Sequence, residues 1–308
     1  MAATTSQGRA IRRAETASGK EERVPERVGG VVVDYDATDA LCKCVASLRT
    51  EGVEQIVVVE NGHAGTAQRA LADEGWSEEV SLVVPGRNVG YGTGANRGVA
   101  ATSGSEYVLI CNPDLLVHGG AVAHLANALD AEPSWAIVGP RILNPQGHRY
   151  PSVREFPSMT AAAGHALLGL VKPDNRFTRR YRSPEGAGES MGPAGWVSGA
   201  CFLVRRLAFE ELGGFDESYF MFAEDMDLCW RAHRAGWGIG VEPLAVVTHA
   251  EGVSRRSHPY RMLVAHHRSA FRFGAHTTSG WRRVGLPLAA VVLTLRLAGA
   301  CVAEALGR

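Results

Sequence analysis

The chain has 308 residues, 45% of them hydrophobic, and balances 32 Lys and Arg against 32 Asp and Glu. That much apolar side chain can bury a full core, which excludes a chain disordered throughout. Zero net charge gives the chain as a whole no electrostatic reason to bind nucleic acid, so no nucleic-acid partner is expected.

The first 27 residues are polar and mixed in charge, lack the apolar run of a secretory signal, and read as a disordered leader. Short runs rich in Val and Ile follow at Val28–Val33, Gln55–Val59, Val80–Val84, Tyr107–Cys111 and Ala136–Val138, each with the character of a buried strand. Helical segments lie between them at Asp39–Arg49, Thr66–Asp73, Gly94–Thr102 and Ala121–Leu129. This alternation predicts an α/β fold, a mostly parallel central sheet flanked by helices. Ligands of such sheets sit outside the carboxyl ends of the strands, which directs attention to residues 34–36, 60–62, 88–96 and 112–114.

Residues 139–195 are rich in Pro, Arg and Gly and predict a long excursion over the site. Beyond it, Trp196–Val204 predicts a strand, Leu207–Leu212 a short helix, Asp225–Arg234 a helix stopped at Gly236, and Gly238–Val241 and Ala245–Thr248 two more strands. Residues 253–308 form a basic, partly apolar helical extension: from Gly252 to Ala303 there is no acid, while eight arginines fall there. Such a tail prefers an anionic partner. Within it Val284–Ala303 is mostly apolar but interrupted by Pro287 and Arg296, short of a clean membrane span; an interfacial helix and a packed C-terminal helix both remain open. Six cysteines without C-x-x-C spacing fit a reducing cytosol.

Three motifs carry chemistry. Gly90–Ala95, GYGTGA, has the form of a dinucleotide fingerprint, but Pro85–Val89 separate it from the preceding strand and two strand-helix units come before it, which argues against NAD. The alternative is a turn that brings backbone close to a nucleotide, with Asn88 and Asn96 offering hydrogen bonds, or a plain turn before a helix. In LICNPDLL, Asp114 follows a buried strand through a Pro-fixed turn, where a carboxylate can hold a hard divalent cation against phosphates. In GGFDESYFMFAEDMDL, the carboxylates Glu224, Asp225 and Asp227 meet the apolar run Tyr219–Phe222 at the start of a helix. Helix capping explains acids there; the apolar wall beside them favours a base. Asp227 and Arg231, four apart, also read as a surface ion pair.

In this order, VVVEN at 57–61, RNVGYGTGANRG at 87–98, CNPDLL at 111–116 and the Glu224-Asp225 segment resemble the inverting family 2 glycosyltransferases of the GT-A fold, over about Val28 to Arg272. YPSVREFPS, GWVSGACFLVRR and HHRSAF are more narrowly similar to actinobacterial rhamnosyltransferases of the cell-wall linker. The resemblance implies a nucleotide-sugar-binding half at 28–140, an acceptor-binding and catalytic half at 141–252, and a rhamnosyl group passed from dTDP-rhamnose to a lipid-linked glycan at the inner face of the plasma membrane. By it, Asp225 is the catalytic base, with Glu224 and Asp227 orienting the acceptor or neighbouring side chains. Tyr35, Glu60, Asn61, Asn88, Gly90, Tyr91, Gly92, Asn96, Asp114 and Arg255 bind the nucleotide sugar, Glu60 at the nucleobase. Asp114 and His249 hold Mg or Mn. NPD in place of a full D-x-D, and Gly62-His63-Ala64-Gly65 in place of the usual G-S-T-D-G turn, depart from the family pattern.

Overall fold

The computed structural model describes residues 27–156, 172, 175, 189–250 and 259–306. Most of the expected leader, the middle of the 139–195 excursion, Arg255 and Arg256 lie outside the described residues.

The first half is built from β1 (Val28–Asp34), α1 (Thr38–Thr50), β2 (Gln55–Glu60), α2 (Thr66–Asp73), β3 (Val80–Val83), α3 (Tyr91–Ala101) and β4 (Tyr107–Cys111). These strands pair in parallel in the order β3-β2-β1-β4. Their near-continuous apolar runs are explained by cover on both faces. Val28, Val32, Ile56, Val58 and Leu109 join the core under α1 and α2, while the alternate residues Val31, Val33, Val59, Val108 and Ile110 join a second core under α3.

The second half adds β5 (Leu115–Val117), β6 (Trp135–Leu143) after α4 (Ala121–Ala131), then the short pieces β7 (Val153–Arg154), β8 (Gly192–Pro193) and β9 (Trp196–Val197), of which β7 and β9 pair in a separate two-stranded sheet. After these come β10 (Cys201–Arg205), α5 (Arg206–Glu211), α6 (Glu224–Arg234) and β11 (Gly238–His249). β10 enters antiparallel between β4 and β6, and β5 lies antiparallel on β11, so the sheet is mixed at this end. The two strands expected at 238–241 and 245–248 are one strand. A register shift against β6 between Glu242 and Val246 takes up Pro243, which has no N–H for the ladder. The strand expected over Trp196–Val204 is instead two, broken at Ser198–Ala200.

The tail folds back as α7 (Pro259–Thr277), a 3-10 turn at Gly280–Gly285 and α8 (Leu286–Ala305). α7 buries His267, Ser269 and Phe273 against the body, but no residue of α8 is buried. α8 lies against α7, while Leu288, Val291, Leu295 and Val302 on it are exposed. Gly280–Ala305 is long and apolar enough to cross a membrane, a longer reach than the sequence reading of Val284–Ala303 allows.

Candidate active site

Three elements converge on the break at Ser198–Ala200. The Asn112 N–H, just past β4, donates to the Ala200 carbonyl at 2.9 Å. The Tyr91 hydroxyl, at the first residue of α3, donates to the Gly199 carbonyl at 2.5 Å. The Gly199 N–H donates to Asp225 Oδ2, at the start of α6, at 2.7 Å. The turn of the CNPD motif and the proposed base are thus tied to adjacent residues of one backbone segment. Tyr91 belongs to this scaffold through its side chain, beyond the nucleotide contact that the sequence suggests.

Asp225 Oδ1 also accepts the Met226 N–H at 2.8 Å, so the side chain caps α6 while remaining partly exposed. Glu224 beside it is 6% exposed, and its Oε2 has no hydrogen-bond partner. Burial raises both carboxyls above their ordinary range, and the Asp225 charge adds to the effect on Glu224, which is pushed up to about 8. The two backbone N–H groups and the Arg154 guanidinium oppose the rise at Asp225. When one proton is left in the pair, Glu224 therefore holds it and Asp225 is the anion.

Glu224 keeps its proton in the folded chain at pH values where the unfolded chain has released it, so its contribution to stability declines as pH rises from about 4.5 towards about 8. Glu224→Gln, neutral at every pH, is expected to flatten that decline: thermal melts should show Tm of the variant gaining on wild type by on the order of 5 °C between pH 4 and pH 8.5. A constant Tm difference across that range would show that Glu224 is ionised in the folded chain.

The backbone entering α6 is strained. Phe222 (φ 68°) and Ala223 (φ 63°) both occupy the left-handed region without being glycine, directly before the two carboxylates. Such residues cost on the order of 1–3 kcal/mol each and persist where surrounding contacts fix them. Arg154 is a residue that the sequence reading missed. It lies on β7 paired to β9, its guanidinium 5.1 Å from the Trp196 ring centroid, and its charge is felt at Asp225. A two-residue strand leaves no periodicity to find it by.

Asn112, Asp114 and His249 meet at a second point. His249 Nε2 lies 3.0 Å from Asp114 Oδ1 and 3.3 Å from Asn112 Nδ2, and the Ala250 N–H donates to the Asp114 carbonyl at 3.0 Å. A nitrogen cannot serve an amide donor and a carboxylate acceptor equally well, and turning the Asn112 amide would present its oxygen instead. One carboxylate, one imidazole and one amide oxygen then suit a hard divalent cation that takes its remaining ligands from phosphate. His249 Nδ1 is buried without a partner. No group of three His, Cys, Asp or Glu side chains that could hold a metal occurs among the described residues, which leaves Asn112 to stand where a full D-x-D has its first carboxylate.

At the expected nucleotide end the structure reassigns several residues. Glu60 is 2% exposed, and its oxygens accept the N–H groups of Gly65 (2.7 Å), Ala67 (2.7 Å) and Gln68 (3.3 Å). It caps α2 from within, work that satisfies the unpaired donors of a helix start and is different from reading a nucleobase. Asn96 bonds both the N–H and the carbonyl of Phe215 at 2.9 Å, holding the 214–217 turn. Gly92 faces Phe215. Asn61, Asn88 and Gly90 form one network, Asn61 donating to Asn88 Oδ1 and the Gly90 carbonyl and accepting the Val89 N–H. Gly90 has φ 90°, and a Cβ there would lie 2.3 Å from the Phe220 carbonyl oxygen. The close approach that the glycine motif announces is therefore to Phe220, whose carbonyl accepts the Tyr91 N–H at 3.1 Å. Tyr35 is half-buried at the end of β1. Next to it Asp34 is 1% exposed with Oδ2 unpartnered, and burial lifts its carboxyl to about 6, so it joins the candidates on this edge.

Asp227 is fully buried. It accepts from Arg231 Nε at 2.7 Å and Tyr219 Oη at 3.4 Å, and lies 3.0 Å from His276 Nδ1. That excludes both a surface ion pair and direct contact with an acceptor; of the two roles implied for it, orienting neighbouring side chains is the one the geometry allows.

Residues 25–269 match the family described as Glycosyltransferase like family 2. N-acetylglucosaminyl-diphospho-decaprenol L-rhamnosyltransferase of Mycobacterium tuberculosis is 38% identical to this chain, over 83% of this chain and 86% of that protein. Rhamnosyltransferase WbbL of Escherichia coli is 26% identical, over 59% of this chain and 70% of its own. The solved structure of mannosyltransferase PcManGT from Pyrobaculum calidifontis, in complex with GDP-Man and Mn2+, matches with a TM-score of 0.54 at 19% identity, over 90% of this chain and 75% of that one, a likeness of fold. With its mixed sheet between helical layers, its carboxylate pair at the strand break and its CNPD turn, this chain has the GT-A fold and belongs to the family 2 glycosyltransferases.

Proposed function

We propose that this glycosyltransferase moves a rhamnosyl group from dTDP-rhamnose to a sugar carried on a polyprenyl diphosphate, with inversion at the anomeric carbon. The observation that carries the reading is Asp225, a carboxylate held by two backbone N–H groups beside a carboxyl that takes the proton first, in a chain 38% identical to a relative named for such a transfer. Inversion takes one displacement. Asp225 removes the proton of the acceptor hydroxyl as its oxygen attacks the anomeric carbon, and the sugar-phosphate bond opens on the opposite face. Glu224, protonated, is a hydrogen-bond donor at the acceptor side.

Asn112, Asp114 and His249 are the residues that would hold Mg or Mn, and a cation there would supply positive charge to the diphosphate leaving group. Tyr35, Asn61, Asn88 and Asp34 face the nucleoside end in this reading, and the resemblance alone assigns Arg255 to the nucleotide sugar. The reading is tested by a panel of nucleotide sugars with Mg or Mn, scored by released nucleoside diphosphate. dTDP-rhamnose is expected to be turned over, and Asp114→Ala to weaken its binding by about 10- to 100-fold. Turnover of a different donor with dTDP-rhamnose ignored would overturn the substrate.

The exposed apolar face of α8, preceded by Arg282 and Arg283, supports contact with the inner face of the plasma membrane, where a lipid-linked acceptor resides. Deleting Leu286–Arg308 is expected to abolish cosedimentation with anionic vesicles; unchanged binding would remove the membrane role of this helix.

A further inference from the structure

Residues 219–227, which carry the carboxylate pair, are gripped by a single stripe of α7. Ser269 Oγ donates to the Met221 carbonyl at 2.8 Å, and His276 Nδ1 lies 3.0 Å from Asp227 Oδ1. Between these two, Phe273 is buried with Tyr219 and Met226. One turn before Ser269, the His266 ring meets Phe222 edge-on at 5.3 Å. Residues 266, 269, 273 and 276 recur at the three- and four-residue spacing of one helix face, so every contact comes from the same side. That face spans the two left-handed residues, Phe222 and Ala223, whose backbone sets the direction in which α6 and Asp225 leave the turn.

We propose that Ser269 and His276 are positioning residues for the base: without touching substrate, they hold the strained turn closed through Met221 and Asp227, and thereby fix the Asp225 carboxylate against Gly199. This rests on the reading of Asp225 as base. The two contacts are unequal. Ser269 is 4% exposed and works in a dry contact, whereas the His276 side chain is 44% exposed and competes with water. Ser269 carries the larger share.

The test uses full-length Ser269→Ala, His276→Ala and His276→Asn, reading kcat, donor Kd and amide hydrogen exchange over residues 219–227. Ser269→Ala is expected to lower kcat by about 10- to 100-fold, the range for misplacing a catalytic group by about an ångström, with donor Kd unchanged and exchange accelerated at Phe222–Asp227 but not in α3. His276→Ala should lose about threefold to tenfold, on the scale of one exposed contact to a carboxylate, and His276→Asn, whose amide reaches the same oxygen, should keep wild-type kcat. Adding Ala223→Gly, which relieves the left-handed penalty, should recover part of the kcat lost in Ser269→Ala. The proposal is overturned if Ser269→Ala leaves both kcat and exchange at wild-type values. It is equally overturned if kcat, donor affinity and Tm fall together with no recovery from Ala223→Gly. Exchange is read without substrate, so an error about the base shows as Asp225→Asn retaining turnover while the exchange response persists.

Discussion

Asp225→Asn is expected to reduce turnover by about 10³-fold while donor affinity stays within about threefold of wild type, a loss in the range for removing a positioned general base. The amide can still accept the Gly199 N–H through its oxygen, so the break at Ser198–Ala200 keeps its shape and the change is confined to basicity. The same assignment sets the sign of the pH dependence. Only the ionised carboxylate can accept the hydroxyl proton, so kcat falls as pH drops through the Asp225 pKa, and burial moves that acid limb above the ordinary aspartate range. Glu224→Gln should retain far more turnover than Asp225→Asn, because Glu224 carries the proton already. The reverse order, with Glu224→Gln the dead enzyme, would transfer the role of base to Glu224.

Asp227→Ala should be the most destabilising single change in the catalytic segment. Its carboxylate is fully buried and holds Arg231, which also donates to the carbonyls of Leu212 (2.8 Å) and Gly214 (2.8 Å). Truncation leaves that guanidinium anchored by two carbonyls with its counter-charge gone, and strips partners from Tyr219 and His276. Breaking a buried pair from one side costs about 3–5 kcal/mol; Arg231 is 19% exposed, so solvent screening places the expected loss near the lower figure. Guanidinium unfolding would show it as a lowered midpoint at constant slope. A loss below about 1 kcal/mol would mean that the network contributes little to folding and that Asp227 acts elsewhere.

These two aspartates show where the sequence is readable. The buried strands announce themselves because a sheet covered on both sides needs apolar residues at every position, and Asp114 and Asp225 stand out because a charge next to such runs requires a reason. Glu60, Asn96 and Asp227 look alike on the page, yet the side chain of each is engaged by other groups of this chain. What engages them is the start of α2 for Glu60, the distant 214–217 turn for Asn96, and both Arg231 and α7 for Asp227. The break at Ser198–Ala200 was hidden for another reason. Trp196 to Val204, WVSGACFLV, is apolar enough at both ends to read as one strand, and only the convergence of Asn112, Tyr91 and Asp225 reveals why it stops. β5 and β7, at three and two residues, are too short to carry any period.

The glycines of α3 work like the thickness of a spacer. At Gly98 a Cβ would stand 2.3 Å from Val31 Cγ1 and 3.0 Å from Val59 Cγ2, so the helix rides on the sheet with nothing between backbone and strand side chains. Its height there decides where its first residue, Tyr91, brings its hydroxyl, and the Gly199 carbonyl accepts that hydroxyl one peptide from the N–H that holds Asp225. A single methyl at Gly98 would act as a shim inserted under one end of a lever, lifting a helix whose far end is tied to the segment that holds Asp225. A dinucleotide-binding protein uses the spelling of residues 90–95 to seat a pyrophosphate; here Gly98, just beyond that spelling, gauges the distance between helix and sheet about two turns from the residue whose hydroxyl meets the Gly199 carbonyl.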